Sequence, residues 1–213
     1  MWAVFVTAKP SSRVLKALNR ALLLIQDFEY AEYPAGSEWV LLTSAQLPSA
    51  APGPTLLPVT VADFSGGNAF VSMSLAEISA FVDANSDALL KIDVTWAHWV
   101  VIDQKGLETS TCLVCKCGSD FDEDEEEEEG GGSTSEFQAC RMPYEMALSM
   151  VVNLDIANMN FEDFVDEKAG VQEDGVWKWR SFDPSDRGTD DMTAEEIKRE
   201  KALQELRDGG YAD

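Results

Sequence analysis

The feature that most constrains the fold is at the start of the chain. Residues 2–7, Trp-Ala-Val-Phe-Val-Thr, are apolar and β-prone, and Pro10 and Ser11 then break the run. That reads as a strand followed by a helix start, because Ser11 can accept a hydrogen bond from the first helical turn. Val14, Leu18, Leu22 and Ile25 recur at helical spacing through residues 12–27, with Leu15 beside them. Trp39-Val40-Leu41-Leu42-Thr43 is a second strand. Strand, helix and strand at these separations predict a βαβ unit, which is right-handed by default.

A different grammar governs the second half. Trp99 to Asp103, Cys112 to Cys115 and Phe137 to Arg141 are short strands with no helix predicted between them, the first two joined by a turn at Lys105-Gly106. Such a succession predicts an antiparallel meander. Leu57 to Ala62 also reads as a strand, and Ser65-Gly66-Gly67-Asn68 as a turn. Ser74 and Glu77 form a capping box for a helix carrying Leu75, Ile78 and Val82, which Asn85 can stop. Pro143 suits the first turn of a helix with Met146, Ala147, Met150, Val151 and Leu154 on one face. Asn160 and Asp163 cap a short helix through Lys168, and Gly175 to Trp179 is a closing strand. The fold class is thus mixed α/β, with helices packed on a mixed sheet.

Residues 1–182 are expected to form one domain, interrupted by a Pro-rich loop at 46–58 and an acidic insert at 119–136. Residues 183–213 read as an acidic linker and a peripheral helix opened by the Thr193/Glu196 capping box. Its apolar residues Ile197, Leu203 and Leu206 are scattered, so it is expected to fray or to dock on a partner. Positions 120–129 hold nine acids and one Phe, followed by three glycines. Dense like charge beside glycine predicts a disordered hairpin tip. A tolerated surface insertion explains it most simply; a tether for a basic partner and weak calcium binding are the alternatives.

The whole chain carries 39 acidic and 16 basic residues, a formal charge of −23, and removing the nine acids of the insert still leaves about −14. A surface so negative repels nucleic-acid phosphates and anionic lipid, and favours a basic protein if it favours any macromolecule. No segment approaches the ~20 apolar residues a bilayer span needs, and the N-terminus reads as a strand rather than a signal peptide. A cytoplasmic protein, or a nuclear one in a eukaryote, is the expectation, with its four cysteines reduced.

Those cysteines are the first chemical candidates. Cys115 and Cys117 face one side of a predicted strand, Cys112 the other, and Cys140 lies on the next strand. A structural zinc site needs four thiolates converging, usually from a turn. Cys-x-x-Cys in a strand splays its thiols, so buried small hydrophobes are the favoured reading, with a metal site through Cys112, Cys115, Cys117 and Cys140 and a redox pair as the alternatives. His98, the single histidine, sits at a strand start and reads as a packed residue. Gly-x-Ser-x-Gly, a Walker A loop and Gly-x-Gly-x-x-Gly are all absent from the sequence. No cofactor is expected.

One stretch carries more. Arg141-Met142-Pro143, the run Asn153-Leu154-Asp155-Ile156-Ala157-Asn158-Met159-Asn160-Phe161-Glu162-Asp163-Phe164, and Asp174-Gly175-Val176-Trp177-Lys178 resemble the C-terminal signature of the domain of unknown function 6924 family. Weaker similarity reaches back through the strand ending at Asp103 and the helix from Ser74 to Ala84. The resemblance implies no catalytic residues, since that family has none assigned. The run itself reads as a tight helix-to-helix corner, with Asn153 ending one helix and Asn158 or Asn160 capping the next. Its functional alternative is a polar pocket formed by Arg141, Asn153, Asn158 and Glu162.

Three functions follow as expectations. The first is a non-enzymatic interaction module that recognises a basic partner. The second is a small-molecule binder or hydrolytic enzyme using the Arg141/Asn153/Asn158 corner. The third is a cysteine-based metal-binding protein.

Overall fold

The computed structural model describes residues 1–26, 38–118, 137–181 and 193–213. Its strands form one mixed sheet in the order β2-β1-β3-β4-β5-β6. β1 (Trp2–Val6) lies between β2 (Trp39–Leu42) and β3 (Thr95–Ile102) and is parallel to both. β4 (Thr111–Lys116) runs antiparallel between β3 and β5 (Gln138–Pro143), and β6 (Trp177–Lys178) joins parallel to β5. The fold is therefore mixed α/β, with the N-terminal βαβ unit and the meander in the places the sequence indicates.

Alternation along the strands divides the core between two faces. Val4, Val6, Val100, Ile102, Val114 and Met142 point to one face, where α1 (Ser12–Leu24) and α5 (Tyr144–Asp155) cover them. Phe5, Trp99, Val101, Leu113 and Ala139 point to the other, under α2 (Leu75–Ala84) and α3 (Ser86–Lys91). The Ser11 hydroxyl accepts a hydrogen bond from the Val14 amide, fixing the start of α1. Leu18, Leu22 and Ile25 are buried, each contributing about 2 kcal/mol of transfer free energy. The chain steps from β1 to β2 with a helix on one face and returns past β1 to β3 with helices on the other. Two crossovers of the same hand require this arrangement.

Both edges of the sheet are covered. Outside β2, the Pro-rich loop donates the Thr55 amide to the Trp39 carbonyl at 2.9 Å, and the Thr55 hydroxyl accepts from Leu41 at 2.6 Å. At the far edge β6 is only two residues long, and isolated bridges from Val171 and Val165 flank it. Short or covered edges leave little template for another strand.

Several local readings are corrected. Residues 57–62 do not form a strand. Thr60 caps a 3-10 turn at Val61–Phe64, and its reciprocal bonds with Asp63 take the backbone out of any ladder. The Lys105-Gly106 turn is a helix, α4 (Gln104–Thr109), and α3 follows α2 with only Asn85 between them. The helix after Asn160 is a 3-10 turn, Phe161–Phe164, with the expected Asn160/Asp163 box. The tail helix α6 (Ala194–Asp208) packs on this chain. Ala202, Leu203, Leu206 and Ala212 are buried against Leu23 of α1. The buried Asn19 of α1 ties this end down, donating to the carbonyls of Val59 and Tyr211 at 3.0 and 3.2 Å. The acidic insert at 119–136 lies outside the described residues. Among them, no helix is long and apolar enough to cross a membrane.

Candidate ligand-binding cleft

In open α/β sheets ligands bind beyond the carboxyl ends of the parallel strands, where the connections diverge to opposite faces. Here that divergence is at β1, and the chain itself occupies the position. The Asn68 amide donates to the Val6 carbonyl at 2.7 Å, Ser72 N donates to Thr7 O at 2.9 Å, and Ala69 N donates to Thr43 O at 2.8 Å. Phe70 is fully buried beneath this loop, edge-on to Phe5 at 4.8 Å. The crevice at β1 is filled.

An open cleft lies further along the same end of the sheet, at the carboxyl ends of β3 and β5. It encloses about 410 Å³, within the range of small-ligand sites. Met142, Pro143, Val176, Trp177 and Trp179 supply apolar wall; Lys105, Arg141 and Lys178 bring three cations; Thr109, Thr111, Gln172 and Asp174 complete the lining. Arg141 is held by Asp103 in a two-pronged ion pair at 3.0 and 2.6 Å, while its Nη1 also approaches the Thr111 hydroxyl at 3.4 Å. Its Nε is buried with no hydrogen-bond partner. Asp103 does a second job, capping α4 by accepting from Gly106 N at 2.6 Å. The mouth is crossed by an ion pair between Lys105 of α4 and Asp174, 3.0 Å long, from the turn before β6. That turn needs Gly175, whose φ of 76° lies where side chains are disfavoured. Burial works to raise the Asp174 pKa, but the hydrogen bond and charge of Lys105, the Val176 amide and Arg141 together bring it below its ordinary value. Lys178 is exposed and pairs with no carboxylate among the described residues.

The predicted corner does not assemble. Even-numbered residues of β5 face α5 and odd-numbered ones face away, so Arg141 lies on the opposite face from Asn153 and Asn158. These two asparagines do meet: Asn158 donates to the Asn153 side-chain carbonyl at 2.7 Å, and Asn153 donates to Ser149 O at 2.7 Å. Both are spent on the helix end. Glu162 accepts from Gln138 at 3.2 Å, at the amino end of β5. Arg141 sits three residues further along β5, about 10 Å away along the strand. The polar pocket is thus replaced by an arginine in a cleft and, on the other face, an asparagine pair that closes a turn.

The cysteines do not converge either. Cys112 and Cys140 lie in one core layer and Cys115 in the other, with Cys117 packed at its margin. Cys140 faces Val114 across the ladder, on the opposite face from Cys115 and Cys117. Burial pushes the thiols of Cys112 and Cys115 far above their ordinary range, and that of Cys140 up to about 12. Thiols so held are poor ligands and poor nucleophiles. Among the described residues no three His, Cys, Asp or Glu side chains are grouped to hold a metal.

His98 is buried at the amino-end side of the sheet, its Nδ1 3.9 Å from Asp155, too far for a hydrogen bond. Burial lowers its pKa from 6.5 to about 4, with Asp155 opposing and Lys116 assisting. The unfolded chain takes up a proton near 6.5 and the folded chain resists until about 4, so stability falls as pH falls through that window. The whole window is worth at most roughly 3 kcal/mol. At pH about 5, His98→Gln is expected to escape about 2 kcal/mol of the wild-type loss, read from urea midpoints relative to neutral pH. Parallel losses in the two proteins refute this.

The family model for a domain of unknown function, DUF6924, matches residues 59–180, more than half of the chain. This chain belongs to DUF6924. The twelve residues lining the cleft all fall within the DUF6924 match, whereas β1, α1, β2 and α6 lie outside it. Of the signature segments, Arg141, Met142, Pro143, Asp174, Val176, Trp177 and Lys178 line the cleft, and the Asn153–Phe164 run builds the helix end behind α5. No curated protein and no solved structure is matched.

Proposed function

We propose that the chain is a ligand-binding module and that the cleft at Arg141 is where a small molecule binds. The observation that supports this reading is the composition of the cleft: two tryptophans and three cations around about 410 Å³, in a chain of net charge −23. Apolar wall with a few oriented polar groups is what small-ligand sites share. The lining favours binding over bond-breaking. It contains no histidine and no cysteine, its one carboxylate, Asp174, is paired with Lys105, and Asp103 is paired with Arg141. This is the small-molecule expectation moved from the asparagine corner to the carboxyl end of β5.

A ligand-observed NMR screen of small aromatic compounds tests it, comparing the wild type with Thr109→Trp, which places a large ring in the cleft mouth. A subset of compounds is expected to show saturation transfer that the variant loses, while its melting temperature stays within a few degrees. Hits that survive the block unchanged, or no hits at all, would end the proposal.

The acidic excess supports a second reading, in which the surface recognises a basic protein. Capture of such a partner should weaken steeply with added salt and be untouched by Thr109→Trp. Salt-insensitive capture would count against it.

A further inference from the structure

We infer that the cleft selects a planar anion, and that the Lys105–Asp174 pair is a charge clasp which the anion opens. The inference rests on the cleft being a binding site and goes on to name what it takes. Among the described residues the lining holds three cations and one carboxylate, Asp174, and Arg141 is paired with Asp103 behind it, which leaves one positive charge in excess. In a chain with 39 acidic and 16 basic residues, a local excess of that sign is an inversion. The carboxylates also differ in how firmly they are held. Asp103 grips Arg141 with two bonds and caps α4, and the side chains of the pair are 25% and 14% exposed. Asp174 meets Lys105 through one contact, with side chains 41% and 58% exposed. Exposed single-contact pairs contribute little to stability and exchange readily. An incoming carboxylate or phosphate therefore takes Lys105 from Asp174, gains Lys178, which pairs with no carboxylate among the described residues, and leaves Arg141 in place. Trp177 and Trp179, partly buried against the core on the α5 side, also line the cleft and supply apolar surface for such a ligand's flat body.

The clasp makes a signed prediction. Asp174→Asn removes the competing carboxylate, raises the excess to two positive charges, and should tighten binding. Lys178→Glu should weaken it. One unit charge at such a surface corresponds to roughly three- to tenfold in affinity at low salt. Calorimetric titration with 2-naphthoate, its neutral counterpart 2-naphthalenemethanol, 2-naphthyl phosphate and inorganic phosphate reads both the sign and the source of the anion. Naphthoate or the aryl phosphate is expected to bind the wild type more tightly than the alcohol. Affinity for it should rise roughly three- to tenfold in Asp174→Asn and fall by a similar factor in Lys178→Glu. Inorganic phosphate should bind most weakly of the anions, having no planar body. Thermal melts of both variants verify that the fold is intact. If the alcohol binds as tightly as the anions, or Asp174→Asn leaves anion affinity unchanged, the clasp is wrong and the cleft stands as a neutral site. If no aryl anion binds either protein, the inference is overturned, and the Thr109→Trp screen separately decides whether the cleft reading falls with it.

Discussion

Gly106→Ala should be the most damaging single methyl group in the described structure. A Cβ at this position would lie 2.2 Å from the Thr111 carbonyl oxygen and 2.9 Å from Asp103 Oδ1. Neither can retreat cheaply. Thr111 begins β4, with Cys112 directly after it locked into the ladder with β5. Asp103 is fixed by Arg141 and by the Gly106 amide itself. The Gly106 carbonyl is fixed too, accepting from the buried Tyr144 hydroxyl at 2.8 Å. Overpacking against backbone held on so many sides is expected to cost about 3 kcal/mol, near the top of the usual range. For a domain of this size that is a drop of roughly 10 °C in melting temperature. Gly66→Ala is the control: nothing lies within 4 Å of its added Cβ, and its backbone is not left-handed. It should change stability, read from the urea midpoint, by less than about 0.5 kcal/mol. Equal effects at the two glycines would show that the contact with Thr111 does not govern the site. Because α4 carries Lys105 and Thr109 into the cleft, Gly106→Ala should also disturb binding there.

Gly106 also shows where sequence reading runs out. The Lys105-Gly106 pair reads as a turn because glycine beside a polar residue usually serves a turn's dihedral angles. Here the glycine is needed for a close approach to a strand five residues later, which only the packed structure reveals. Local signals fared better. The capping boxes at Ser74/Glu77, Asn160/Asp163 and Thr193/Glu196 all form, because each is completed within four residues. The periodicity of α1 and the continuous apolar strands fix the βαβ unit for the same reason. The strand expected at residues 57–62 gives way to a box of the same kind, Thr60 with Asp63. The scattered leucines of α6 gave no stripe, yet three residues near its end suffice to seat it on α1.

The candidate site divides along the same line. A helix end near Asn153 and a cap at Asn160 are legible locally; that Asn158 turns back to donate to Asn153 is not. Strand parity alone separates Arg141 from Asn153 and Asn158. Met142 and Cys140 face α5, so the residue between them must face away. What no pattern in the sequence supplies is Arg141's partner. Asp103 lies 38 residues upstream, and Asp174, across the cleft, lies on a turn that reads as a simple lead into a strand.

That partnership carries the second large effect. Asp103→Asn keeps an oxygen to accept from Gly106 N and so retains most of the α4 cap, but it strips the counter-charge from an arginine side chain only 14% exposed. Leaving such a charge uncompensated is expected to cost about 2–3 kcal/mol, less than for a fully buried pair because some solvent reaches it. Arg141→Met should cost less, since Asp103 keeps the Gly106 hydrogen bond and is 25% exposed. Removing both charges should bring stability back to within about 1 kcal/mol of the wild type, because a desolvated pair recovers little more than it loses on leaving water. The coupling between the two sites would then be about 2 kcal/mol in a urea double-mutant cycle, and additive losses would refute the argument. If the fold can do without the pair, stability is not the reason an arginine stands at the cleft wall. The double variant therefore separates the two roles. It should remain folded and yet bind the aryl anion more weakly, because methionine offers the ligand no N–H where Arg141 still has donors that Asp103 does not occupy.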